Sequence, residues 1–123
     1  MNRGLILFAH GSRDSLWAEP FERLRRKVQR ARPDLAVTLA YLELMPPELG
    51  AAIDQMVAAG CRQVRVVPVF LGQGGHVRRD LPELVDQAAA RHAGLVIELA
   101  QPVGESDVVL EQMAAVCVDG IPE

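Results

Sequence analysis

Cysteine, histidine and aromatic residues are all scarce in this 123-residue chain, which has two Cys, three His and only 4% Phe, Trp and Tyr. Cys61 and Cys117 stand far apart, and neither belongs to a Cys-x-x-Cys pair. That spacing speaks against a disulfide framework or a thiolate zinc site. No apolar stretch reaches the roughly 18 residues that a membrane span requires. The N-terminus enters an apolar run within four residues, without a cationic leader before it or a small-residue cleavage signature after it. The expected location is therefore the reduced cytoplasm, with no membrane partner. Excess positive charge is also missing: 13 Lys and Arg against 16 Asp and Glu give a formal net charge of −3. With a pI near 5.6, this is not the balance of a nucleic-acid protein.

Half of the residues are hydrophobic. Ala, Val and Leu dominate them, as suits parallel strands covered by helices. The length fits one domain, residues 1–123, with enough chain to bury a core. Apolar periodicity alternates strand and helix four times. Strands are expected at about 4–9, 36–42, 63–71 and 95–100. The first helix follows Asp14 or Ser15 as N-cap, with Pro20 near its first turn. Pro46-Pro47 is expected to open the second helix, where missing amide donors cost least. Gly60 suits its C-terminal end. The third helix is expected to start between His76 and Asp80. A last helix covers about 105–118, with Val109, Met113 and Val116 facing inward. Pro68 falls within the third strand, a position that ordinarily marks an edge or a bulge. The pattern predicts an α/β fold: a four-stranded parallel sheet, order 2-1-3-4, with helices on both faces.

In that order the winding reverses between strands 1 and 3, and ligands bind outside the carboxyl ends at such a point. His10, Glu43 and His76 are spaced 33 residues apart, each where an apolar strand is expected to stop. The flanking texts are Leu5-Ile-Leu-Phe-Ala-His-Gly-Ser, Val37-Thr-Leu-Ala-Tyr-Leu-Glu-Leu and Val64-Arg-Val-Val-Pro-Val-Phe-Leu-Gly-Gln-Gly-Gly-His. A strand–helix–strand crossover is about that long and returns a parallel chain to the same rim. Neighbouring strands lie about 4.8 Å apart, so two imidazoles and a carboxylate can converge on one small ligand. This is a nitrogen and oxygen donor set for a transition-metal ion.

Other chemistries fit less well. His10-Gly11-Ser12-Arg13-Asp14 holds the residue types of a hydrolytic triad, but as local neighbours rather than in nucleophile–base–orienter geometry. The same stretch approaches the Arg-His-Gly signature of histidine phosphatases, yet Ala9 replaces the phosphate-clamping Arg. Gly72-Gln73-Gly74-Gly75-His76 lacks the Lys and hydroxyl of a P-loop. Its glycines do remove side chains where a flat ligand must approach the backbone. Arg13, Arg78 and Arg79 lie near the same rim and suit substrate carboxylates. His92, near a helix end, reads as structural. Trp17 and Tyr41 read as packing residues.

Three stretches taken in order resemble a known family. They are Leu7-Phe-Ala-His-Gly-Ser-Arg-Asp, Leu42-Glu-Leu-Met-Pro-Pro and Val67-Pro-Val-Phe-Leu-Gly-Gln-Gly-Gly-His-Val-Arg-Arg-Asp-Leu-Pro. Together they are similar to the CbiX/SirB group of class II chelatases in its short single-domain form. The resemblance implies insertion of a divalent metal, typically cobalt or iron, with nickel also open, into sirohydrochlorin. It places the metal-binding histidines on His10 and His76 and the acidic residue on Glu43, all three catalytic. Ser12, Arg13, Gly74, Gly75, Arg78 and Arg79 become the candidates for tetrapyrrole contact. No cofactor beyond the substrate metal is implied. Longer relatives carry two such domains, so a homodimer is expected to supply the second half. Two rival functions use the same residues: a metal-storage module without turnover, and a phosphohistidine enzyme acting through His10.

Overall fold

The computed structural model describes residues 2–123. In chain order it contains β1 (Arg3–Ala9), α1 (Glu19–Ala31), β2 (Ala36–Tyr41), α2 (Leu49–Ala58), β3 (Gln63–Pro68), α3 (Gly75–Ala90), β4 (Val96–Leu99) and α4 (Asp107–Val118). Short 3-10 turns at Ser15–Ala18 and Val103–Glu105 precede α1 and α4. The four strands are parallel in the order β2-β1-β3-β4, as the apolar pattern predicts. Register runs from Gly4↔Ala36 to Ala9↔Tyr41 on one side of β1 and from Arg3↔Gln63 to Phe8↔Pro68 on the other.

Alternation along β1 separates two cores. Ile6 and Phe8 pack with Ile53 and Met56 of α2 and with Leu81 and Val85 of α3. Leu7 and Ala9 point the other way, toward Phe21, Leu24 and Val28 of α1. Trp17 and Tyr41 belong to this second core and so are packing residues. Burial raises the Tyr41 hydroxyl above its ordinary pKa, with a smaller push from Glu22.

Several boundaries differ from expectation. Asp14 accepts a hydrogen bond from the Leu16 amide, but it caps the 3-10 turn, and α1 itself begins at Glu19 with Pro20 in its first turn. Pro46-Pro47 does not open α2. The pair forms a cis-peptide turn, the Pro47 carbonyl accepts from the Tyr41 amide, and helix starts only after Glu48. Pro68 marks neither an edge nor a bulge in the pairing. β4 pairs only as far as Val66↔Leu99, so Pro68 follows the end of that ladder and its missing N–H costs no strand bond there. α3 starts at Gly75, before His76, because Gly74 takes the N-cap position and offers no capping side chain to read. Its early start also leaves Pro82 inside the helix.

The largest departure is α4. Met113 and Val116, expected inward, are 38% and 75% exposed, and α4 buries no residue. Among the described residues no helix is long and apolar enough to cross a membrane.

Candidate functional site

The C-terminal rim of the sheet is tied together by backbone. Beyond the last residues of β1 and β2, the ladder continues as Leu42 N–H to Ala9 carbonyl (2.9 Å) and Glu43 N–H to His10 carbonyl (3.1 Å). This pairing holds His10 and Glu43 side by side after both strands have ended. Gly11 permits it. Its φ is +94°, and an added Cβ would lie 1.9 Å from the Glu43 carbonyl oxygen. Only glycine fits that approach. Leu44, the next residue after Glu43, has φ +69° without being glycine. Such strain collects where surrounding structure fixes an unusual path.

His10 is exposed, and its ring lies against Phe70, with centroids 4.4 Å apart and planes at 31°. Phe70 is buried and also meets Phe8 edge-on at 5.9 Å. The segment after β3 thus places the Phe70 ring against His10. Gly104 fixes that segment from behind. Its N–H donates to the Phe70 carbonyl at 2.8 Å, and a Cβ there would lie 1.9 Å from the Leu71 carbonyl oxygen.

His76 is not at a strand end. β3 stops at Pro68, a loop follows, and His76 occupies the first turn of α3. It still reaches the rim: His10, Glu43 and His76 line one cavity of about 360 Å³ with Leu42, Val77, Asp80 and Leu81. Asp80 is the member that the sequence reading missed. Its carboxylate lies 3.0 Å from His76 Nε2, one helical turn on, and is half-buried. Among the described residues no three His, Cys, Asp or Glu side chains stand close enough to hold a metal ion as a preformed set. The three expected ligands share a cavity without closing into a cage.

The remaining candidates divide. Nothing lies within 4 Å of an added Cβ at Gly72, Gly74 or Gly75, so the glycine loop borders open space. Arg13 and Arg79 are exposed. Arg78 is partly committed, donating from Nη2 to the Gln73 carbonyl at 3.2 Å and bracing the glycine loop. Ser12 is also committed: its hydroxyl accepts from the Asp14 amide at 3.1 Å. His92 lies outside the cavity, 2.6 Å from Asp54, where it and Arg91 tie the end of α3 to α2. Those hydrogen bonds, His92 first and Arg91 second, hold the Asp54 carboxyl below its usual pKa.

With this geometry in hand, the chain can be set beside known proteins. A crystal structure of a cobalamin (vitamin B12) biosynthesis CbiX protein from Marinobacter aquaeolei VT8 matches with TM-score 0.82 and 35% identity. The match covers 94% of this chain and 93% of that one. SirB from Bacillus subtilis with Fe3+ shares the fold at TM-score 0.83 and 23% identity, covering 99% of this chain but 49% of SirB. A sirohydrochlorin cobaltochelatase of Saccharolobus islandicus is 29% identical over 98% of this chain and 94% of its own length. That of Methanocaldococcus jannaschii is 32% identical over 72% of this chain. The chain spans only about three-fifths of several such relatives: 57% in Methanococcus aeolicus and 62% in M. jannaschii. The CbiX family model matches residues 4–118, nearly the whole chain, and this protein belongs to the CbiX family.

Proposed function

We propose that this chain inserts a divalent metal ion, cobalt or iron, into a sirohydrochlorin-type tetrapyrrole, and that His10, Glu43 and His76 receive the ion. One observation carries the reading: three ligand-type side chains, two from strand–helix connections and one from the first turn of α3, line a single cavity beside an open glycine loop. The names of the relatives, sirohydrochlorin cobaltochelatases, support the same reaction.

The chemistry sets two demands. The ion must be held long enough to meet the macrocycle and then be released to four pyrrole nitrogens, while two pyrrole protons leave. An open set of imidazole and carboxylate donors suits release, whereas a closed four-ligand cage retains its ion. The same lack of a closed set disfavours storage without turnover. Neutral imidazoles ligate the arriving ion and accept protons as it departs. Glu43 completes the shell or serves as the second base.

The Asp80 carboxylate, 3.0 Å from His76 Nε2, is placed to orient that ring, as carboxylates commonly do for metal-ligating histidines. Arg13 and Arg79 meet the carboxylates on the macrocycle's edge, and the loop around Gly74 and Gly75 lets its face approach. No further cofactor enters the scheme. The cavity has walls from one subunit only, and ligand sites of this kind bury most of their ligand. A homodimer, the commonest closed assembly, supplies the opposite wall.

The test is to mix the protein with sirohydrochlorin and Co2+, Fe2+ or Ni2+ and follow the absorption change. His10→Ala and His76→Ala should each abolish most insertion while keeping the circular dichroism of the wild type. Glu43→Gln should lose rate more than metal affinity. Near-wild-type turnover in either histidine variant would refute the assignment.

A further inference from the structure

Ahead of α4, four large apolar side chains among the described residues are more than half exposed: Leu16 (77%), Leu44 (53%), Leu71 (62%) and Val96 (62%). The three leucines are not scattered. Each lies in the connection that follows β1, β2 or β3, so all three stand at the rim that carries the cavity. A lone exposed leucine needs no explanation, but a set gathered at one rim marks a contact surface. Two of them adjoin the His10–Glu43 wall directly. Leu44 follows Glu43, and Leu71 follows Phe70, whose ring lies against His10.

Leu44 is the more telling of the two. Among the described residues it alone has positive φ, at +69°, without being glycine. Gly, Asn or Asp would hold that backbone with less strain. The leucine gains nothing from the core in return, since its side chain is exposed. An unfavourable backbone and unfavourable solvation thus fall on one residue, the pattern of a side chain kept for what it touches outside the fold. Its path is set by the bond from Glu43 N–H to the His10 carbonyl (3.1 Å). Leu71 is also held by backbone. Gly104 donates to the Phe70 carbonyl at 2.8 Å, and a Cβ on Gly104 would lie 1.9 Å from the Leu71 carbonyl oxygen. Both leucines are therefore exposed on segments that backbone contacts fix in place.

We infer that Leu44 and Leu71 form an apolar platform for one face of the tetrapyrrole, setting the ring against the His10–Glu43 wall. The inference rests on the chelatase reading above and names the residues that meet the ring face. A macrocycle with carboxylates on its edge presents two kinds of surface, a charged rim and an apolar face. Arg13 and Arg79 suit the rim, and the glycine loop leaves room, but neither offers apolar contact. Val77 and Leu81 line the cavity, yet both are buried and already packed in the core. The exposed leucines beside the wall supply what those residues do not.

Full-length Leu44→Asn and Leu71→Asn, singly and together, test this, with Leu44→Met as the conservative control. Metal-free sirohydrochlorin is titrated by absorbance at low and high salt, Co2+ by calorimetry, and melting is followed by circular dichroism. Asn accepts positive φ, so Leu44→Asn should melt at or above the wild type while its Kd for sirohydrochlorin rises roughly tenfold. The double variant should bind more weakly than either single one. These losses should persist at high salt, unlike those of an arginine variant, because no charge is removed. Leu44→Met should stay within about twofold of wild type, and Co2+ affinity should not change in any variant. An unchanged Kd in the double variant would overturn the platform. So would a joint fall in melting temperature, Co2+ affinity and tetrapyrrole affinity, which would make Leu44 structural. A change seen only in light scattering would give the leucines to a second copy of the chain and overturn the platform as well. A wild type that binds sirohydrochlorin but inserts no metal would overturn the chelatase reading and spare the platform, whereas one that binds no tetrapyrrole would overturn both.

Discussion

Replacing Gly11 by Ala isolates what the rim owes to backbone geometry. The position has φ +94°, where an L-residue costs roughly 1–2 kcal/mol. The new Cβ would also meet the Glu43 carbonyl oxygen at 1.9 Å, and that atom is backbone, which cannot swing aside. Relief requires the two loops to part, which breaks the 3.1 Å bond from Glu43 N–H to the His10 carbonyl. Losing it adds about 1 kcal/mol. The sum, about 2–3 kcal/mol, corresponds to a melting temperature lower by on the order of 10 °C for a domain of this size. Insertion should suffer beyond that, even well below the melting temperature, since His10 and Glu43 no longer lie side by side. The controls are Gly74→Ala and Gly75→Ala, where an added Cβ meets nothing within 4 Å. Thermal unfolding should leave both unchanged or slightly stabilised, while bulk added to the loop reduces tetrapyrrole turnover. If Gly11→Ala melted within about 2 °C of wild type, the loop clamp would not be what positions Glu43.

Other outcomes follow from single contacts. Asp80→Asn should weaken Co2+ binding by about tenfold to a hundredfold in calorimetric titration; an unchanged affinity would remove Asp80 from the site. Arg13→Ala and Arg79→Ala should raise the KM for tetrapyrrole several-fold, with the difference shrinking as salt rises. A change confined to metal affinity would contradict their role. Asp54→Asn tests the α2–α3 tie. Its carboxyl lies below the ordinary 3.8 when folded, so its contribution is full above that value and fades as pH falls through the lowered one. The variant should therefore melt below wild type at pH 6, by under about 1 kcal/mol for so exposed a pair, and match it in strong acid.

Strand order was legible because apolar alternation and crossover length leave few topologies for 123 residues. The cavity was legible for a less direct reason. The spacing of His10, Glu43 and His76 points to one rim, although His76 reaches it from a helix rather than from a strand end. Val69-Phe70-Leu71 continues the apolar run of β3 and reads as strand; β3 ends at Pro68, yet Phe70 keeps the alternation of Val64 and Val66 into the core, and its ring lies against His10. What the sequence does not show is that Gly104, 34 positions later, meets the end of this run by donating to the Phe70 carbonyl. Asp80 was hidden by one misplaced boundary. With the helix expected to begin between His76 and Asp80, the two do not form a pair, whereas a start at Gly75 makes them neighbours one turn apart. α4 failed differently. Its apolar positions were read as facing inward, whereas the helix buries none of them.

The two sides of the cavity are built on opposite principles, and the difference bears on the proposed release of an ion. His10 and Glu43 sit on segments hydrogen-bonded to each other past their strand ends, with Gly11 allowing contact and Phe70 filling the space beneath. Their backbones cannot part without breaking these bonds. His76 stands 82% exposed at its side chain, on the first turn of a helix entered through a glycine loop. Its ring contact is Asp80, on the same helix, and the loop brace from Arg78 is on that helix too. Whatever shifts the start of α3 therefore carries His76, Asp80 and Arg78 together, against a fixed His10–Glu43 wall. In the proposed reading, a macrocycle entering over Gly74 and Gly75 would press on that loop. If these residues receive the ion as proposed, binding of the ring would change their separation, which is what an open donor set needs in order to let its ion go.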